Sequence, residues 1–129
     1  MAAPTTRSAG RLAGLLAGAG VLHFACPRPF DAIVPRVLPG PPRTWTQAAG
    51  VAELLIAVAV AHPRTRRLGG LAAAALFVAV LPANVRMAKD WRDRPASLRV
   101  AARARLPLQA PLVLWALRVA RHADHRRDR

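Results

Sequence analysis

Residues 68–85, LGGLAAAALFVAVLPANV, carry no charge, and Asn84 is the only polar side chain among them. A helix that is apolar all round has no face to turn toward water, so it is either deeply buried or a membrane span. A soluble, alanine-rich bundle would place polar residues at three or four positions of each heptad, and this run does not. Three further apolar blocks flank it. Residues 12–26 are interrupted only by His23, and residues 45–61 contain Thr46, Gln47 and Glu53. Residues 106–117 contain Gln109 and reach spanning length if Arg103, Arg105, Arg118 and Arg121 snorkel. A span needs about 20 mostly apolar residues. The expectation is an all-α, four-transmembrane-helix bundle forming a single membrane domain over 1–129, with helices at about 8–26, 44–62, 67–87 and 103–121.

Composition agrees with this reading. Apolar residues make up 53% of the chain, yet its net charge is +14. Both facts hold if apolar blocks alternate with arginine-rich flanks. The basic residues occupy every flank and loop without interleaved aromatics, so contact with a lipid bilayer explains them and nucleic-acid binding is not expected. All but Lys89 of the 20 basic residues are arginine. Together with abundant alanine and proline, this suggests a GC-rich bacterial genome and a multi-pass protein of the bacterial cytoplasmic membrane. The first 26 residues have the outline of a signal peptide. A lipoprotein-type site would want a branched aliphatic residue three places before the cysteine, where this chain has His23. A retained first helix is expected. A single cysteine, Cys26, excludes an internal disulfide and a CxxC dithiol mechanism.

An even number of helices puts both termini on one side. The connection HPRTRR at 62–67, the N-terminal arginines and the basic tail argue for a cytoplasmic face. Seven basic residues between Arg86 and Arg105 argue the other way. Between the first two helices, Pro27, Pro29, Pro35, Pro39, Pro41 and Pro42 forbid a continuing helix. Phe30, Ile33, Val34 and Leu38 keep an apolar face there, so this Pro-rich interfacial loop lies among headgroups or folds back over the bundle.

Each expected helix carries one notable polar side chain: His23, Glu53, Asn84 and Gln109. At 1.5 Å per residue they lie roughly 5, 13, 5 and 7 Å from the face that bears the two long loops. A carboxylate at the depth of Glu53 costs a few kcal/mol, so it needs protonation, water or a partner such as His23 or Arg86. One reading makes Glu53 a proton-handling or ligand-binding acid; the other makes it a helix-to-helix hydrogen-bonding group. His23 and Cys26 supply two of about four metal ligands, so no metal site is expected. Pro82 and Pro107 free backbone carbonyls beside Asn84 and Gln109. Gly50, Gly69 and Gly70 read as close helix contacts.

The patterns H-F-x-x-P-x-x-F-D-x-I-V-P-x-x-L-P at 23–39, G-x-x-E at 50–53, T-R-R at 65–67, L-P-A-N-V-x-M at 81–87 and R-L-P-L-Q at 105–109 together resemble the small DoxX-like membrane proteins. The likeness runs from about Gly20 to Ala116. It implies a four-helix bacterial membrane protein with a redox association, the family taking its name from a small subunit of a thiosulfate:quinone oxidoreductase. His23, Pro27, Phe30, Glu53, Asn84 and Gln109 match positions that recur in that family. The leading expectation is therefore a quinone-interacting accessory subunit, not catalytic alone, with a soluble or membrane oxidoreductase partner. Glu53 and His23 would handle protons, while Asn84, Gln109 and Phe30 would contact the quinone; no tightly bound cofactor is expected. The rival expectation, from another class, is a non-enzymatic scaffold or small-molecule permeation protein.

Overall fold

The computed structural model describes residues 4–124. They form α1 (Pro4–Ala25), α2 (Pro27–Asp31), α3 (Pro42–Ala61), α4 (Arg66–Ala79), α5 (Leu81–Asp90), a 3₁₀ turn at Trp91–Asp93, and α6 (Ala96–Asp124). The protein is all-helical, with no strand among the described residues. Prolines set several boundaries. Pro27 opens α2 directly after α1, and Pro42 opens α3. His62 precedes Pro63 and turns extended (φ −81°, ψ 126°), which ends α3. Between Pro39 and Pro41 the chain reverses through Gly40 at φ +83°, a conformation open to glycine and costly for other residues.

The exposed C-terminal carbonyls of α3 are satisfied by the turn that follows. Thr65 Oγ1 donates to the Ala59 carbonyl at 2.7 Å, while Arg66 Nε and Nη2 donate to Val60 and Ala61, each at 2.9 Å. Side chains thus replace the missing next turn of helix and add positive charge at its negative end.

The four long helical stretches pack in a ring, α1 on α3, α3 on α4, α4 on α6 and α6 on α1, with α5 continuing α4 along α6. Leu12 and Leu16 of α1, Ala57 and Val60 of α3, Ala73 and Phe77 of α4, and Ala116 and Val119 of α6 meet in the main core. A smaller cluster of Ile33, Met87 and Ala102 lies under the loop that follows α2. Small residues let the backbones approach closely. A Cβ added at Gly50 would stand 2.8 Å from Phe24 Cε2 and 2.9 Å from His23 Cβ; one at Gly70 would stand 2.9 Å from the Ala116 carbonyl oxygen.

Two helical stretches are long and apolar enough to cross a membrane: α3, and the run Arg66–Asp93 that joins α4, α5 and the 3₁₀ turn. Only 28% and 33% of their apolar windows are buried inside the molecule. A core helix of a water-soluble bundle would hide most of such a surface, whereas here Leu55, Val58, Leu68, Leu71 and Val78 face outward. Helices α1 and α6, 22 and 29 residues long, have the length, but arginines dilute their apolar stretches.

The helix limits differ from expectation in two places. The third expected helix is divided at Val80, because Pro82 sits in the first turn of α5 and cannot donate to the carbonyl four residues back. The fourth begins at Ala96 rather than near 103, and Pro107 and Pro111 lie within it. Arginine-rich residues 96–105 have good helix propensity and continue the helix beyond the apolar block. In the Pro-rich connection, short α2 folds back against α1 and α3.

Candidate functional site

Gly50 explains why α1 and α3 come together at one point. With no side chain there, the last turn of α1 closes on α3, and His23 meets Glu53 one helical turn along. The His23 Nδ1 lies 3.0 Å from Glu53 Oε2 and 2.7 Å from the Ala19 carbonyl oxygen. The backbone carbonyl is the hydrogen-bond acceptor, and Glu53 Oε2 remains buried without a hydrogen bond despite its proximity. Each of the two side chains is 12% exposed. With Nδ1 turned to the Ala19 carbonyl, Nε2 is the ring nitrogen that this bond leaves free.

The His23 ring is stacked on Phe30 of α2, with centroids 3.8 Å apart and planes 21° apart. Two polar contacts hold the Pro-rich segment over this stack. Arg43 Nε donates to Asp31 Oδ2 at 2.8 Å, and Trp45 Nε1 donates to the Pro39 carbonyl at 2.7 Å. From the other side, Arg86 donates to the Val34 carbonyl. Burial pushes the Asp31 carboxyl up, but the neighbouring Thr46 hydroxyl and the Arg43 guanidinium outweigh it, and the net is a value below the ordinary 3.8. Asp31 Oδ1 and Thr46 Oγ1 each lack a hydrogen bond of good geometry, so the contact with Arg43 is the one that anchors the loop.

Asn84 lies in α5 and is 2% exposed, with its Nδ2 buried and without a partner. One turn on, buried Met87 receives a contact from Arg105 Nη1 of α6 at 3.8 Å. Gln109, a turn beyond Arg105, has Oε1 buried and also unpartnered. Arg105 is the cation whose charge acts on Glu53. His23, Glu53 and Phe30 are in one contact group; Asn84 and Gln109 stand on the paired helices α5 and α6, where Arg105 contacts Met87.

Arg86, the arginine expected beside Glu53, is engaged elsewhere: it pairs with Asp90 at 3.2 Å and reaches the Val34 carbonyl. The i, i+4 spacing within α5 gives it a nearer carboxylate. Arg105 was the missed residue, and its signal was available, since four residues separate it from Gln109 on one helix face. The Asp31–Arg43 pair carried no such signal, because the partners lie 12 residues apart across a non-periodic loop. Cys26 is exposed just beyond α1.

Fold and site together define a class: an all-helical protein with two helices of membrane-spanning length and apolarity and several buried polar atoms without hydrogen-bond partners among the described residues. The chain belongs to the family described as Domain of unknown function (DUF8561), whose profile matches residues 12–120. No curated protein and no solved structure matches it.

Proposed function

We propose that this is a four-span protein of the bacterial cytoplasmic membrane that binds a hydrophobic, hydrogen-bonding redox carrier of the quinone type and serves an oxidoreductase partner as an accessory subunit. One observation carries the reading: Glu53 Oε2, Asn84 Nδ2 and Gln109 Oε1 are all buried without hydrogen-bond partners among the described residues. Leaving such atoms unpaired costs about 1–3 kcal/mol each, and a ligand that pairs them recovers that cost. The set suits a quinone. An amide N–H of Asn84 can donate to a ring oxygen, the Gln109 oxygen can accept from a reduced ring hydroxyl, and His23 with Glu53 can hold or release a proton beside them. The Phe30–His23 stack supplies a flat aromatic wall. The likeness to DoxX-like proteins in the motifs around His23, Glu53, Asn84 and Gln109 supports the same reading. A bound quinone would exchange electrons and protons with the partner enzyme; this chain's residues would position it and manage the protons.

A second reading, a scaffold without a carrier, is favoured by the direct His23–Glu53 and His23–Phe30 contacts, which join α1, α2 and α3 to one another without a ligand. Detergent-solubilised protein titrated with a short-chain ubiquinone separates the two. Saturable binding that weakens at least about tenfold in Glu53→Gln, a loss of the order of one hydrogen bond to a charged group, supports the carrier site. Undiminished binding in Glu53→Gln and His23→Phe defeats it.

A further inference from the structure

The Pro-rich segment 27–40 is built differently from the bundle it covers. Its backbone hydrogen bonds close on themselves: the Ala32 N–H donates to the Arg28 carbonyl, Ile33 to Phe30, Val34 to Asp31 and Leu38 to Pro35. Among the described residues, none joins its backbone to that of α3, α5 or α6. Ile33 is the one buried side chain in the segment, and α2 has none. What ties the strap down is a set of side-chain contacts: Arg43 to Asp31, Trp45 to the Pro39 carbonyl, Arg86 to the Val34 carbonyl, and Phe30 stacked on His23. Such a segment can leave the bundle as one body, breaking only those contacts and keeping its own hydrogen bonds. Each end has a place to turn. Cys26 interrupts the helix between α1 and α2 (φ −133°, ψ 68°). Gly40 holds φ +83° with nothing within 4 Å of an added Cβ, so glycine serves the turn there and not packing. Beneath the strap lie His23 and Glu53, each 12% exposed. The adjoining α1–α3 seam is shut: a Cβ at Gly20 would stand 2.9 Å from Leu54 Cγ, and one at Gly50 as close to His23 Cβ. The packed helices are the rigid wall, and the strap is the movable one.

We propose that residues 27–40 are a gate, turning on Cys26 and Gly40 to lift Phe30 off the His23 ring and admit a ligand to the His23–Glu53 contact from the loop side. The space that Phe30 vacates is a ring-sized slot against the imidazole face, which suits a flat aromatic ligand. For the identity of that ligand the inference rests on the carrier reading above; the opening of the strap needs no carrier.

Diethyl pyrocarbonate, which acylates accessible imidazole nitrogens, reads the opening without a ligand. With sites quantified by mass spectrometry on the detergent-purified protein, His23 should react more slowly than exposed His62, at a rate that follows the open fraction. The double variant Arg43→Gln/Trp45→Phe removes two of the ties. It should speed the His23 reaction about tenfold, the combined effect of one exposed ion pair and one hydrogen bond, and leave His62 unchanged. Hydrogen exchange of residues 27–40 should rise in parallel, while that of α1 and α3 stays as in the wild type. Equal reaction of His23 and His62 in the wild type, an unchanged His23 rate in the double variant, or a rise that comes only with faster exchange of α1 and α3 would each overturn the gate. Binding kinetics with the short-chain ubiquinone separate this inference from the carrier reading. Faster association in the double variant supports a gate on a carrier site; a faster His23 reaction with no ubiquinone binding to either protein supports the gate and removes the carrier.

Discussion

Glu53 is one carboxylate surrounded by choices. Its Oε2 stands beside a histidine nitrogen already committed to a backbone carbonyl, so the side chain is close to a partner without being satisfied by it. Replacement by glutamine removes the charge and keeps the shape. If Glu53 only joins helices, Glu53→Gln should melt at the same temperature as the wild type or slightly higher; a carrier-binding residue would lose quinone affinity while the fold stays intact. Asp31 offers a separate test by pH. Its folded value is depressed, so its stabilising contribution is full above 3.8 and is lost as pH falls through the lower folded value. Wild-type protein should therefore lose more thermal stability between pH 6 and 3 than Asp31→Asn does; parallel losses would show that Arg43 does not anchor the loop through this carboxylate. At this scale the sequence exposed the isolated polar residues through their contrast with apolar surroundings. It could not expose which nitrogen of His23 is occupied, or that Arg86 turns to Asp90, because those outcomes depend on three-dimensional distances.

Helices are where hydropathy spoke most clearly. The uncharged run 68–85 forecast a helix without a water-facing side, and α4 with α5 fills that place. The short α2 escaped notice because prolines at 27 and 29 look like helix breakers, although proline is well suited to a first helical turn. The stretch 88–104 reads as polar and part-helical, as it is; that its helix runs unbroken into the fourth apolar block escaped because residues 96–105 carry no apolar block of their own, while their backbone propensity favours helix. Close packing at Gly70 yields a prediction for the α4–α6 pair. Gly70→Val would drive a branched side chain into the Ala116 carbonyl and Ala120, and should destabilise the protein by about 1–3 kcal/mol. Gly18→Val meets nothing within 4 Å and is the control. Thermal unfolding in detergent compares them, and an equal effect at both positions would mean that the α4–α6 contact is not tight.

For the molecule as a whole, the ring of long helices places the α1 N-terminus, the α3–α4 turn and the α6 C-terminus at one end, with the Pro-rich segment and the α5–α6 connection at the other. Basic residues are shared almost evenly between the ends, so charge counting in the sequence does not orient the chain. Exposed Cys26 does this by experiment, being the only cysteine in the protein. With cytoplasmic termini, a membrane-impermeant maleimide added to intact spheroplasts should label it; labelling only after the membrane is opened would invert the topology.

The alanines and glycines at the centre of the bundle have a further consequence. Ala9, Ala57, Ala73 and Ala116 are 0–5% exposed. Sites already this small have almost nothing left to remove, so truncation to glycine costs little beyond about 1 kcal/mol of backbone entropy. Enlargement is a different matter, because the neighbouring backbones would have to part. A saturating mutational scan of this protein should therefore be lopsided: tolerant where a conventional leucine-rich interior is fragile, and intolerant of substitutions that would elsewhere count as conservative. Such an interior evolves under a ceiling on side-chain volume, and lineages that drift can vary its outward-facing surface freely while its axis stays nearly fixed.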